Sequence, residues 1–296
     1  MTTLDTSVLD GSDVTPKSTP PSPEQLLAQE VRSQDQARRR SNSTILAGRI
    51  GFAVGVALLW QLGSGRIVDS LFVSDPTSIA AALWELATDG DLFFHLRFTV
   101  IEVISGYMIG ATLGGASALC LSMIPRVKSV LQPFLVLFYS IPKVALAPLI
   151  IMWFGLGLSS KVMLAGLFVY FVMFMNTLGG IESVSNDLLN VSRVMGASRF
   201  QLLRKVILPS AVPNILTGLH ICIPLAMVGA VLGELLAGNR GVGYIISRAS
   251  YSYNAAGVFA GIIAILAVVL LLNGVVMFLD RRLMSWRPRG LAASEL

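Results

Sequence analysis

The side chains able to carry covalent or proton-transfer chemistry are few and scattered. His95 and His220 are the only histidines in the 296-residue chain, and Cys120 and Cys222 the only cysteines. Two histidines offer no zinc constellation. Both cysteines fall inside apolar runs, which argues for small packing residues rather than a disulfide or a metal site. The chain has no Gly-x4-Gly-Lys-Ser/Thr phosphate loop. Gly238, Gly241 and Gly243 follow an apolar run rather than a strand, so they read as a turn and not as a nucleotide site. No catalytic residue, metal or cofactor of this chain's own is therefore expected.

What remains is charge set against apolar sequence. Arg193, Arg199, Arg204 and Lys205 stand in the segment 190–209, between two long apolar runs. Gly196 interrupts that segment and Pro209 closes it. Arginine and lysine are costly in hydrocarbon, so the segment is an aqueous loop, and a loop with its own helical pattern is a binding element. Ser198 followed by Gln201 is a capping-box pattern that starts a helix just after Gly196-Ala197. Lys143, in Ser140-Ile-Pro-Lys143, is a lone ammonium inside an apolar run, about 20 Å along a helix from Val130. An ionisable residue there is a functional candidate, with snorkelling or pairing to a carbonyl as the alternative. Tyr139, Lys143, Trp153, Asn176 and Glu234 form the candidate solute pathway. Each also has a packing or interfacial reading, and Trp153 and Glu234 suit an outer interface.

Composition decides where these residues must sit. The chain is 54% hydrophobic and 13% charged, with a mean hydropathy of +0.72, far from the roughly 25% charged of soluble domains. Uncharged runs cover 50–65, 103–125, 144–160, 162–181, 206–233 and 249–279, and a spanning helix needs roughly 20 predominantly apolar residues. The chain is read as an all-α, polytopic membrane protein with about six transmembrane helices. The net charge of +5 is no nucleic-acid signal, because the basic residues cluster at the ends of the apolar runs.

The expected spans are Thr44–Gly63, Phe98–Ile124, Val130–Phe154, Val162–Gly180, Asn214–Leu236 and Ala256–Leu279. Asp75-Pro76 caps a short external helix that stops at Gly90. Gly106, Gly110 and Gly114 make a small-residue stripe on the second span, suited to close helix contact. Pro133, Pro142 and Pro148 make the third span irregular, which is tolerated where it faces protein or a water-filled cavity. Pro209 and Pro213 end the loop helix and start the fifth span, and a polar external stretch follows Gly243.

Orientation follows from the basic residues. Arg126, Lys128, Arg193, Arg199, Arg204, Lys205, Arg281, Arg282, Arg287 and Arg289 fall on one side, and Arg66, Arg97, Lys161, Arg240 and Arg248 on the other. The richer side is cytoplasmic, and both termini lie there. Residues 1–42 form a disordered cytoplasmic N-terminal tail, rich in Ser, Thr, Pro, Asp and Gln. No apolar stretch of signal-peptide type precedes residue 44. Residues 43–290 form the membrane domain, with its cytoplasmic loop at about 182–210, and residues 291–296 form a short cytoplasmic tail.

The loop resembles a motif of the membrane subunits of ABC importers, which runs Glu-Ala-Ala, three residues, Gly, nine residues, then Ile-x-Leu-Pro. Gly196 stands at the glycine, Val206 at the isoleucine, and Leu208-Pro209 at the close. The opening triplet departs from the motif, being Asn190-Val191-Ser192. Ser140 to Gly157, Gly196-Ala-Ser-Arg-Phe200, Leu208-Pro-Ser-Ala-Val-Pro213 and Gly233 to Tyr244 are similar to the nitrate/sulfonate/taurine branch of binding-protein-dependent permeases. The resemblance covers about residues 70–290. It implies a type I ABC importer permease fold in the cell membrane. It also implies a second copy of the chain, two cytoplasmic ABC ATPase subunits that bind ATP and magnesium, and an extracytoplasmic substrate-binding protein.

On that resemblance, a short helix at Val191–Phe200 docks in a groove on the ATPase. Val191, Ser192, Arg193, Gly196, Ala197, Ser198, Arg199 and Pro209 are the candidate coupling residues, with Gly196 and Ala197 permitting close approach and Arg193 and Arg199 meeting acidic partners. The branch favours small anions, for which Lys143 would supply an attractive field. Two other readings compete. A secondary transporter or channel needs ion-coupling carboxylates or a repeated half, and only Glu102 and Glu234 are available, both near the outer face. A membrane-embedded enzyme needs a His, Cys or carboxylate cluster at one depth, and none is visible.

Overall fold

A computed structural model describes residues 45, 47–64 and 73–283. The tails expected at 1–42 and 291–296 lie outside the described residues. Two compact units divide the chain, Met1–Leu59 and Trp60–Leu296. Regular structure among the described residues is helical, with no β-strand. The first unit contributes most of an apolar helix, α1 (Ala47–Gly63), whose Ile50, Phe52 and Leu59 are exposed.

In the second unit, α2 (Pro76–Thr88) starts as its sequence dictates. Asp75 accepts a hydrogen bond from the Ser78 backbone N–H, and Pro76 fills the first turn. Hydrogen bonds from the Thr77 and Ser78 hydroxyls hold the Asp75 carboxyl well below the usual carboxylate range. Gly90, at φ 79°, turns the chain into α3 (Asp91–Ser122).

The third expected span divides into α4 (Pro125–Ser140), a 3-10 turn (Lys143–Leu146) and α5 (Ala147–Phe154), bent by 81° at the break. Only one of its three prolines makes that break. Pro142 holds Ile141 extended, at φ −62° and ψ 129°. Pro133 stays within α4, and Pro148 occupies the first turn of α5, where its missing N–H is no loss.

After α6 (Leu158–Glu182) and α7 (Asn186–Val194), the chain departs from expectation. Pro209 and Pro213 do not close a helix. The short α8 (Arg199–Leu202) runs through a π turn (Leu203–Ile207) into α9 (Leu208–Ala237), so one apolar helix extends over Phe200–Ala237. In the π turn the Leu208 N–H bonds to the Leu203 carbonyl. That extra residue resets the helical register, and Pro209 enters at the first turn of α9, where no donor is required.

A second departure follows Gly241. The stretch read as polar and external holds a helix, α10 (Val242–Tyr251), with Val242, Ile245 and Ala249 buried. The chain then enters α11 (Ala255–Leu283). Among the described residues, four helices are long and apolar enough to cross a bilayer, namely Asp91–Ser122, Leu158–Glu182, Phe200–Ala237 and Ala255–Phe278. The bent α4–α5 pair has the length and composition of a broken span or a re-entrant loop, and α1 is shorter.

The core is α6 clasped between α3 and α9. A β-carbon at Gly106 would stand 2.4 Å from the Ala165 β-carbon, and one at Gly114 would stand 2.4 Å from the Tyr170 carbonyl oxygen. From the other side, one at Gly229 would stand 2.7 Å from the Ala165 α-carbon. The glycine stripe thus lets α3 lie directly on the α6 backbone, the close approach that dispersion forces reward in a membrane. Val103, Val169, Met173, Cys222, Ala226 and Ala230 fill the seam. At the opposite end from α10, Lys128 at the start of α4 pairs with Glu182 at the end of α6.

Candidate functional site

The loop between α6 and α9 folds as a helical corner. The Ser185 hydroxyl accepts the Leu188 N–H at 3.2 Å and starts α7. The helix ends where Gly196 takes φ +81°. The Gly196 N–H bonds to the Arg193 carbonyl at 2.9 Å, and the Ala197 N–H to the Ser192 carbonyl at 3.1 Å. That pair of bonds is a Schellman cap with glycine in the left-handed position. Two residues on, the Ser198 hydroxyl accepts the Gln201 N–H at 3.3 Å while the Gln201 carboxamide accepts the Ser198 N–H at 2.9 Å. This is the expected capping box.

Val191–Phe200 is therefore two helix ends and a corner, not the single short helix expected. No atom lies within 4 Å of a β-carbon built on Gly196, so within this chain glycine serves the backbone turn. The corner carries an unusual surface for a loop rich in charge. Leu188, Val191 and Phe200 are exposed, and Val194 and Met195 are 89% and 81% exposed. Leu188, Val191 and Met195 recur at helical spacing and share a face. Arg193 binds the Asn190 carboxamide oxygen at 3.0 Å and lines a cleft with Ser122, Met123 and Pro125 at the α3–α4 turn. Ser192 binds back to the Leu188 carbonyl at 2.8 Å, and Arg199 opens α8.

Of the candidate pathway residues, the structure brings two together. Lys143 begins the 3-10 turn at the α4–α5 break, and its Nζ donates to the Tyr139 carbonyl at 3.1 Å. The same ammonium lies 4.8 Å from the Tyr139 ring centroid and 5.4 Å from that of Phe171. Cation–π contact and one carbonyl leave two N–H donors for a further partner. Trp153 sits apart on α5 and is exposed. Asn176 donates to the Val172 carbonyl at 2.8 Å and packs its β-carbon where α9 presents Gly218.

Glu234 belongs to a different constellation, which sequence reasoning missed. It is 1% exposed, inside the chain rather than at an outer rim. Its two carboxylate oxygens accept the Thr99 hydroxyl at 2.6 Å and the Gly243 N–H at 2.6 Å. The Thr99 hydroxyl in turn accepts the Val242 N–H at 2.8 Å, and His95 Nδ1 accepts the Gly241 N–H at 3.0 Å. Three successive amides at the start of α10 are thus satisfied by side chains of α3 and α9. Each left unpaired in the interior would cost about 1–3 kcal/mol.

Lys161, counted among the basic residues on the side opposite the loop, is 3% exposed and stands 3.4 Å from Glu102. The glycines read as a turn are spacers here. A β-carbon on Gly241 would stand 1.9 Å from the Glu234 carboxylate, and one on Gly243 would stand 2.7 Å from the Glu234 β-carbon. The legible clue is spacing on α3. His95, Thr99, Glu102 and Gly106 follow one another at helical intervals, so a polar file continues the glycine stripe.

Three comparisons bear on this arrangement. Residues 106–285 match the family model described as the binding-protein-dependent transport system inner membrane component. The chain is 35% identical over 246 residues to the putative aliphatic sulfonates transport permease protein of Bacillus subtilis, covering 81% of this chain and 89% of that protein. It is 31% identical over 239 residues to the formylaminopyrimidine transport permease protein of Halalkalibacterium halodurans, covering 80% and 95%. Among solved structures, a chain of the MetNI methionine ABC transporter, in an inward-facing form, superposes with a TM-score of 0.53 at 20% identity, over 63% of this chain and 91% of that one.

Proposed function

The chain belongs to the binding-protein-dependent transport system inner membrane component family and is the transmembrane permease subunit of an ABC importer; from that premise we propose that its Asn186–Phe200 corner is the surface a separate ATPase grips. The exposed apolar face at Leu188, Val191, Val194 and Met195 carries this reading. Apolar side chains at helical spacing in an aqueous loop suit insertion into a groove of a soluble partner. α8 continues without interruption through the π turn into α9, so a push on the corner reaches that core helix as a lever. ATP and magnesium bind to that ATPase partner. The excess of arginine at the corner and after α11 supports a cytoplasmic location for both.

The remaining partners follow from the family description, which supports an extracytoplasmic binding protein that delivers the solute. A single set of spans supports pairing with a second copy to enclose the pathway. The solute class rests on Lys143. An ammonium held over two rings at the break between α4 and α5, with donors to spare, favours a small anion such as a sulfonate. The sulfonate permease agrees with that choice by name, while the pyrimidine permease shows that the family also serves other chemistry.

Purification of the full chain with its ATPase tests the corner. Val194→Asp changes a fully exposed side chain, so stability should stay within roughly 0.5 kcal/mol. Loss of a contact residue of this kind should cut ATPase retention at least about tenfold. Undiminished retention by a membrane-inserted Val194→Asp variant would remove the corner from the interface.

A further inference from the structure

The joint between the corner and α9 carries one residue more than an α-helix needs. In the π turn (Leu203–Ile207) the Leu208 N–H passes over the Arg204 carbonyl and bonds to that of Leu203. The next residue, Pro209, has no N–H to give to Lys205. Two successive rungs of the α-helical ladder are therefore missing where the charged loop enters the long apolar helix.

Pro209 explains the widening. In an α-helix a proline ring clashes with the carbonyl four residues before it, here that of Lys205. Lys205 lies inside the π turn, whose wider winding carries its carbonyl away from the ring. Arg204 and Lys205 are both exposed, so the surplus residue is held by the proline and not by buried contacts of those side chains. Space to use that residue lies alongside. Leu203 and Ile207 of the π turn line a cleft of about 430 Å³ together with Arg193 of the corner and Met123 and Pro125 of the α3–α4 turn.

Feeding one residue from a π turn into regular α winding lengthens the helix by about 1.5 Å and turns everything before it by about 100°. We propose that the π turn is a two-register switch between the corner and α9. Wound as π, it holds the Asn186–Phe200 corner where the structure shows it. Wound as α, it swings the corner about the α9 axis relative to the α3–α4 turn. A pull on the corner draws the reserve residue into the helix, and release lets Pro209 drive it back into the π turn. That the pull comes from an ATPase rests on the function proposed above; the switch itself is a property of this chain.

The distance between two spin labels on the full-length chain in detergent tests it without any ATPase. Val194→Cys puts one label on the corner and Ile124→Cys the other on the α3–α4 turn, both at exposed positions. Cys120→Ser removes the accessible native thiol, and Cys222 is fully buried. Pro209→Ala takes away the ring that opposes α winding. The label separation should then shift by roughly 5 Å or more, as a turn of about 100° on a helix about 10 Å across requires. Deletion of Lys205 in the Pro209→Ala background removes the reserve residue, so α winding returns the corner to its wild-type place and the separation should revert. A proline that served stability alone would show no such reversal. An unchanged separation in Pro209→Ala, or a shift that persists once Lys205 is deleted, would overturn the proposal. Should the deletion variant fail to fold, the separation in Pro209→Ala still decides.

Discussion

Lys143 stood out in the sequence as a lone charge inside an apolar run, with pairing to a carbonyl as the alternative reading, and the Tyr139 carbonyl does accept its Nζ. Its aromatic seat did not show there, since Phe171 comes from a separate helix. If its ammonium binds an anionic solute, its removal should withdraw a charge-assisted hydrogen bond of about 1.5–3 kcal/mol. Uptake of an aliphatic sulfonate by Lys143→Met should then show a KM raised by roughly tenfold or more, with Lys143→Arg closer to wild type. An unchanged KM in Lys143→Met would take this lysine out of the pathway. The buried cluster shows the opposite case. Thr99 and Glu234 are 135 positions apart, and Lys161 borders a long uncharged run, where a basic residue reads as a topology marker. Helical spacing marked the α3 file, but nothing local could pair it with Glu234 or with the amides of α10.

Among the elements, those set by local rules matched their sequence. Asp75-Pro76 starts α2, Ser198 and Gln201 form their capping box, and Gly196 closes α7. Local rules ended the loop helix at Pro209 and Pro213, which the structure carries in one continuous helix beyond a π turn, and did not disclose α10, whose capping groups come from distant helices. The glycine stripe was legible as a packing face, and the fold supplies its partner, α6. Gly110→Val tests that contact. Its β-carbon would stand 2.5 Å from the Gly166 carbonyl oxygen and 2.8 Å from the Val169 β-carbon. Overpacking of this kind costs about 1–3 kcal/mol, and against backbone it should fall at the upper end. A markedly lower melting temperature in detergent is expected. The same substitution at Gly179, where no atom lies within 4 Å, should be tolerated far better. Equal tolerance at both positions would mean that α3 and α6 are not in backbone contact.

At the scale of the molecule, α6 lies packed between α3 and α9 in the second unit, and each end of that core carries a different attachment. The corner meets the core through the unbroken α8–α9 helix. At the other end, α10 is fastened by Glu234, Thr99 and His95. Force applied at the corner should therefore move α3 and α9 together, with α10 following. On the proposed function, hydrolysis in a separate ATPase reaches the solute pathway through this corner. Uptake into proteoliposomes containing this chain, its ATPase and its binding protein tests it most directly, with wild type beside Val194→Asp. Wild-type uptake should require ATP inside the compartment where the ATPase faces, and Val194→Asp should abolish that uptake while the protein remains inserted and folded. Uptake that proceeds on an ion gradient without the ATPase, or that is untouched by Val194→Asp, would contradict the account.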